Sequence, residues 1–211
     1  MIQTDLSHVN DYFTPIWNGM MDMEKKESAK ERILRVATDL FYREGIRAVG
    51  IDRIILESGV AKASFYRSFA TKDDLVVAFL EQRHRSSMAR IDEAERRYPD
   101  SPVDQLLFLF ESLADRLAEP DFRGCPYMNT SVEFPDADHP GHRKAAELRQ
   151  QQWDRVTQIA ERAGARDPME LSVQLRMMYS GATMIGYMNK TDFRREYMLS
   201  AVRTLIEKQL A

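Results

Sequence analysis

IDRIILESGVAKASFYRSFATK, residues 51–72, is the stretch that decides the fold. Ile51, Ile54 and Ile55 recur on one face of a helix, and Gly59 can take the left-handed conformation that ends it. Val60 plugs the tight turn that follows. Lys62–Phe69 then predicts a second short helix with Phe65 and Phe69, four residues apart, turned inward. Its other face carries Lys62, Ser64, Arg67 and Ser68. Two short helices joined by a glycine turn, the second basic and hydroxylic outside, fit a helix-turn-helix whose second helix enters a DNA major groove.

Working outward, the pattern runs from Gly45 through Ile51, Ile54, Gly59 and Val60 to Lys62-Ala63-Ser64-Phe65-Tyr66-Arg67-Ser68-Phe69, and closes on Thr71-Lys72-Asp73-Asp74-Leu75. In these residues the chain resembles the TetR-type transcriptional regulators, over about residues 28–80 in motif and over the whole chain in length. The resemblance implies an all-α homodimer that binds a palindromic double-stranded DNA operator. It also implies a repressor released by a small-molecule effector, without a cofactor and without enzymatic activity. One departure is Gly50, where the family commonly has Thr or Ser opening the second helix. Glycine is a tolerable cap but has no hydroxyl for a phosphate. A further block, Gly124-Cys125-Pro126-x-x-Asn129 and Pro135-Asp136-x-Asp138-His139-Pro140, resembles one subgroup of these regulators.

Composition agrees with a folded helical chain. Of 211 residues 44% are hydrophobic and 30% charged, which excludes a disordered class, and nine Gly with eight Pro predict few loops. The lone Cys125 allows no internal disulfide, and no apolar run is long enough for a membrane span, so the expected compartment is the cytoplasm. The net charge of −3 speaks against a nucleic-acid binder, but its distribution does not. Residues 24–75 hold eleven Lys and Arg against nine Asp and Glu, while residues 76–211 hold nineteen against twenty-one.

The expected organisation is a mobile arm over 1–27, a three-helix DNA-binding head over 28–75 and a helical effector-binding and dimerisation body over 76–211, with about nine helices in all. Ser28-x-x-Glu31 and Thr71-x-x-Asp74 are capping boxes, and Ser101-Pro102 and Asp167-Pro168 open two later helices. The helix after Thr71 should reach about Tyr98 and span roughly 40 Å. Short turns and loops are expected over 119–142, a helix over about 143–163, and a last helix from Thr191 or Asp192 to Leu210.

Candidate DNA contacts are Lys62 to guanine or phosphate, Ala63 to a thymine methyl, and Ser64 and Tyr66 to phosphate, the last by the family motif. Arg67 reaches base or backbone, and Lys72 holds a phosphate with the positive end of its helix. Lys25, Lys26 and Arg47 flank the first helix, as phosphate contacts or as solvated charges. For an effector, Met88, Met177 and Met184 with Phe108, Tyr127, Met128 and Trp153 form either an adaptable pocket or ordinary core. His84, Asn129 and Glu133 are candidates for its polar end. The dimer seam is expected at Met184, Met188, Val202 and Ile206, beside Ser180-Gly181-Ala182. A rival reading is a metal- or thiol-responsive sensor using Cys125 or the cluster Glu133, Asp136, Asp138, His139 and His142. No metal is assigned.

Overall fold

The computed structural model describes residues 27–210; all of the expected arm but Glu27, with Lys25 and Lys26, lies outside the described residues. Among these there are nine helices and no strand, the all-α class the sequence predicts. They are α1 (Ala29–Glu44), α2 (Ile51–Ser58), α3 (Lys62–Ser68), α4 (Lys72–Arg97), α5 (Pro102–Ala118), α6 (Pro126–Glu133), α7 (Pro140–Arg162), α8 (Pro168–Met188) and α9 (Arg195–Leu210). At four helices the start is where the sequence puts it. Ser28 accepts from Glu31 N and Thr71 from Asp74 N, both as reciprocal boxes, while Ser101 and Asp167 cap α5 and α8.

Two starts differ. Helix α7 begins three residues early, at Pro140, because His139 Nδ1 accepts from Gly141 N and serves as an unusual cap. Helix α9 begins late, at Arg195. Asn189 Oδ1 accepts from both the amide and the hydroxyl of Thr191, holding that segment in a turn instead.

Two apolar clusters organise the packing. The first joins α1–α3 with the N-terminal half of α4, through Ile33, Leu40, Phe41, Ile54, Phe65 and Leu80, and also takes in Tyr127, Ala145 and Leu148 from α6 and α7. The second lies between α5, α7, α8, α9 and the far half of α4, around Ile91, Phe110, Trp153, Leu171 and Val202. Helix α4 belongs to both. At 26 residues it is about 39 Å long, and ion pairs from Arg155 to Asp92 and Glu95, and from Arg162 to Glu95, tie its far half to α7.

The expected dimer seam needs a correction. Val202 and Ile206 are 0% and 1% exposed inside the second cluster, so they face α5 within their own chain and cannot meet another copy. The apolar surface of this end lies on α8 instead. Met169, Val173, Met177, Met184 and Met188 lie four or seven residues apart along one exposed stripe. Gly181 sits in that stripe with open space around it. Gly186 faces the other way. A methyl group added there would stand 2.8 Å from Leu117 Cδ2, and Leu117 is itself buried. Gly186→Ala should therefore cost about 1–3 kcal/mol through overpacking of α5 on α8, measured as a lowered urea midpoint with unchanged helical content.

Candidate nucleic-acid interface and buried cavity

Helix α3 is short and held from behind. Phe65 and Phe69 are sunk into the first cluster at 0% and 4% exposure, with Lys30 Nζ over the Phe69 ring at 5.6 Å. Gly59 (φ 62°, ψ 27°) lets the chain leave α2 sharply enough to lay α3 across α1. With one face fixed, Lys62, Ala63, Tyr66 and Arg67 are exposed together on the other, and Ser64 is half-buried at their edge. Tyr66 is braced edge-on against Phe65 at 5.4 Å. Arg67 Nη2 donates to Ser64 Oγ at 2.9 Å, and Lys62 Nζ stands 3.3 Å from Asp52 Oδ1 on α2. Gly50 caps α2 in an extended conformation with no side-chain bond, as its lack of a hydroxyl requires.

Arg47 and Lys72 stand apart from that face, on either side of Glu133. The Arg47 guanidinium lies over the Phe134 ring at 5.4 Å. Lys72 Nζ is 5.9 Å from the Phe41 centroid, and burial lowers its pKa against the opposing pull of Glu133 and Asp73. Glu133 itself is the junction. Its carboxylate accepts from Ile46 N at 3.0 Å and Arg47 N at 2.7 Å, bonds that cross 87 and 86 positions of sequence. The α1–α2 turn can present those amides because Gly45 adopts φ 93° and leaves room for the carboxylate. His139 stacks on Phe134 at 4.0 Å with Nε2 3.6 Å from Asp73 Oδ1, adding a second strap from body to head.

This geometry speaks against the rival metal-sensor reading of the Glu133–His142 cluster. Glu133 is engaged with amides, His139 caps α7, His142 Nδ1 bonds to the Phe134 carbonyl at 2.8 Å, and Asp136 accepts from Asp138 N at 2.9 Å. No group of three potential ligands converges among the described residues. Cys125 is half-buried, and the basic partner its sequence neighbourhood lacks is supplied by Arg149, Nη1 to Sγ 3.2 Å.

Of the expected pocket residues, the structure brings only some to a cavity. Tyr127 lines the main one, of about 60 Å³, with Pro126, Leu113 and Tyr179. Trp153 lines an adjoining void of about 20 Å³, with Phe110, Leu106 and Val156. Asn129 and Glu133 edge a third, of about 10 Å³, next to Phe41 and Tyr42. His84, Met88, Phe108 and Met128 lie outside these three. Met88 packs on the second cluster, and Phe108 lies against Tyr98 and under Arg97. Met177 and Met184, 67% and 46% exposed, are on the α8 stripe rather than in any pocket.

Four arginines that the sequence reading passed over line the main cavity: Arg83 and Arg90 of α4, Arg116 of α5 and Arg149 of α7. The signal was present. Arg83 and Arg90 fall in the inward register of α4, in line with Val76, Phe79, Ser87 and Ala94, where a basic residue is out of place.

Residues 33–79 match the profile described as bacterial regulatory proteins, tetR family, and residues 102–197 match the profile of a tetracyclin repressor-like C-terminal domain. A TetR-family transcriptional regulator of Streptomyces coelicolor has a solved structure similar to this one, with 35% identity, TM-score 0.81, and 87% of this chain and 96% of that one covered. A TetR transcriptional regulator of Streptomyces avermitilis is similar at 30% identity and TM-score 0.74, covering 86% and 98%. Among curated proteins, an uncharacterised HTH-type transcriptional regulator of Bacillus subtilis is 31% identical over 78 residues, 37% of this chain and 27% of that protein. The chain spans less than two thirds of the length of the curated relatives it matches.

The Glu133 clamp has a measurable consequence. Glu133→Ala removes two charge-assisted bonds and leaves the amides of Ile46 and Arg47 short of a partner. Stability should fall by about 1.5–3 kcal/mol, and amide exchange should quicken first at the α1–α2 turn.

Proposed function

The chain belongs to the TetR family of bacterial regulatory proteins, and from that premise we propose that it is a DNA-binding transcriptional repressor released from a palindromic operator by a small molecule. The observation that carries this is the α3 face: Lys62, Ala63, Tyr66 and Arg67 exposed side by side on a helix that Phe65 and Phe69 fix from behind. A rigid, narrow, basic helix of this kind fits a major groove. Lys62 and Arg67 read base edges, Ser64 and Tyr66 hold phosphate, and Arg47 and Lys72 support the backbone from the junction. The relatives described above are regulators rather than enzymes, and nothing here calls for catalysis. The division of labour we assign is head 28–75, body 76–211 and an arm before them, in a cytoplasmic protein. The metal- or thiol-responsive alternative is not favoured, because the carboxylates and histidines it needs are already engaged in the junction.

The working unit is a homodimer, so that two heads meet two half-sites. Its seam is the α8 stripe of Met169, Val173, Met177, Met184 and Met188, with Gly181 allowing a close approach of helices. Release is a population shift. Helix α6 connects the two ends of that switch, since Pro126 and Tyr127 border the main cavity while Glu133, about 10 Å along the helix, grips the head. A ligand that moves the start of α6 or the wall of α4 therefore changes the angle at which the head is held.

Two tests follow from these assignments. In a selection from random duplexes, Lys62→Ala should change the preferred bases, with a loss at the affected position of about 1–3 kcal/mol. Tyr66→Phe should lower affinity across all sequences alike; Lys62→Ala with unchanged preference would put Lys62 on the backbone. For the seam, Met177→Glu should give a folded monomer by light scattering and weaken operator binding, whereas Val202→Glu should unfold the chain. A Met177→Glu protein that remains dimeric would place the interface elsewhere.

A further inference from the structure

The main cavity has an unusual electrostatic composition. Arg83, Arg90, Arg116 and Arg149 converge on it, none is fully exposed, and none has a carboxylate within ion-pairing distance among the described residues. Their partners are neutral. Arg83 lies over the Tyr42 ring at 4.4 Å, Arg90 reaches Ser87 Oγ at 3.4 Å, and Arg116 reaches the Tyr179 hydroxyl at 3.4 Å. Arg149 spans Ser180 Oγ at 2.7 Å and Cys125 Sγ at 3.2 Å. Burial lowers the pKa of Arg83 and of Arg90, and the positive neighbours add to it, Arg116 on both and Arg83 on Arg90; burial works the same way on Arg116, but Tyr179, Tyr42 and Glu119 outweigh it and hold Arg116 up.

Two of the helices that supply these arginines, α4 and α7, show that carboxylates were available. Farther along the α4–α7 contact, Arg155 and Arg162 meet Asp92 and Glu95 at 2.6–3.2 Å. A fold that pairs its arginines there and leaves four without an ion-pair partner around a cavity holds a concentration of positive charge that an incoming anion would relieve. Next to this chamber is the apolar void, which shares the lining residues Ser87, Arg90, Leu113, Gln152 and Tyr179 with it and extends to Trp153 and Phe110.

We infer that the effector is an organic oxyanion, a carboxylate or phosphate ester bearing an apolar arm, with its charged group among Arg83, Arg90, Arg116 and Arg149 and its arm beside Trp153. This rests on the reading of the body as the effector-binding part. The polar end thus lies at the arginines, away from His84, Asn129 and Glu133. Planar guanidinium forks suit the paired oxygens of such a group. The anion also bridges α4, α5 and α7 next to Pro126, the start of the helix that ends in the Glu133 clamp.

The test uses benzoate and phenyl phosphate as probes, with benzamide and benzylamine as neutral and cationic counterparts and inorganic phosphate as the bare anion. In low-salt buffer, benzoate or phenyl phosphate should raise the thermal midpoint saturably, and the tighter of the two identifies the headgroup. Benzamide and benzylamine should not. Arg116→Gln and Arg149→Gln should each weaken the anion about tenfold or more, Arg116→Lys less, and Arg155→Gln, in the paired region, not at all. Equal stabilisation by benzamide, an undiminished anion effect in both glutamine variants, or no effect of either anion would overturn the assignment. Inorganic phosphate matching phenyl phosphate would remove the apolar arm. A second measurement needs no probe: without ligand, Arg90→Met/Arg116→Met should melt above the wild type, because unpaired charges are gone, and a lower midpoint would sink the proposal. Operator binding is followed separately. Anion binding without operator release would refute the release mechanism and leave the site standing; release by another molecule without anion binding would do the reverse.

Discussion

One helix has to be buried at both ends by different partners, and the rest of the molecule is arranged around that constraint. The first half of α4 completes the core that holds the helix-turn-helix, through Leu75, Val76, Phe79 and Leu80. Its second half completes the core of the body, through Ile91 and partly buried Met88. Between them the apolar stripe is interrupted by Arg83, Ser87 and Arg90, which face the cavity. A close-packed helix does not deform gradually, so a change in what fills that interruption is carried to both ends. The Glu133 clamp supplies the second connection. Besides it, the head is attached to the body by α4, the shared apolar packing of Tyr127, Ala145 and Leu148, the His139 strap, and the Tyr42 hydroxyl, which donates to Gly124 O and accepts from Arg123 N.

The cavity and the clamp represent opposite treatments of buried polarity. At the clamp every strong group is matched, with two carboxylate oxygens to two amides, and the result is a fixed joint. At the cavity four strong donors are left with rings, hydroxyls and a thiol, which are weak partners for a guanidinium. Stability is lower there than it need be. Such local shortfalls mark functional places in a fold, because the missing partner can come from outside.

Much of the fold was legible because its signals are local. Capping boxes at Ser28 and Thr71, the proline starts at Ser101 and Asp167, and glycine stops at Gly45 and Gly59 act within four residues of themselves, so sequence exposes them fully. The α7 cap is not legible in sequence because histidine does not advertise that role, whereas the Asn189 turn before α9 is an ordinary asparagine turn that the helical pattern around it outweighs. Val202 and Ile206 of α9, expected at a seam, are buried within their own chain. An apolar stripe in sequence tells that a helix buries one side, and not whether its own chain or another copy covers it. The partner of Glu133 lies 87 positions away, and no spacing rule reaches that far. The arginine cavity was visible in register but was overlooked in favour of methionines and aromatics, the usual lining of a pocket.

The charge arrangement of the head has a further consequence. Several of its cations are already neutralised by its own carboxylates: Arg35 by Glu27, Arg43 by Asp39, Arg53 by Glu44 and Glu57, and Lys62 by Asp52. A duplex of arbitrary sequence therefore meets fewer unmatched positive groups than the count of Lys and Arg implies, and releases correspondingly fewer condensed counterions, the main source of sequence-blind affinity. On the proposed reading, that lowers the background of contacts at wrong sites and leaves more of the discrimination to fit across two half-sites.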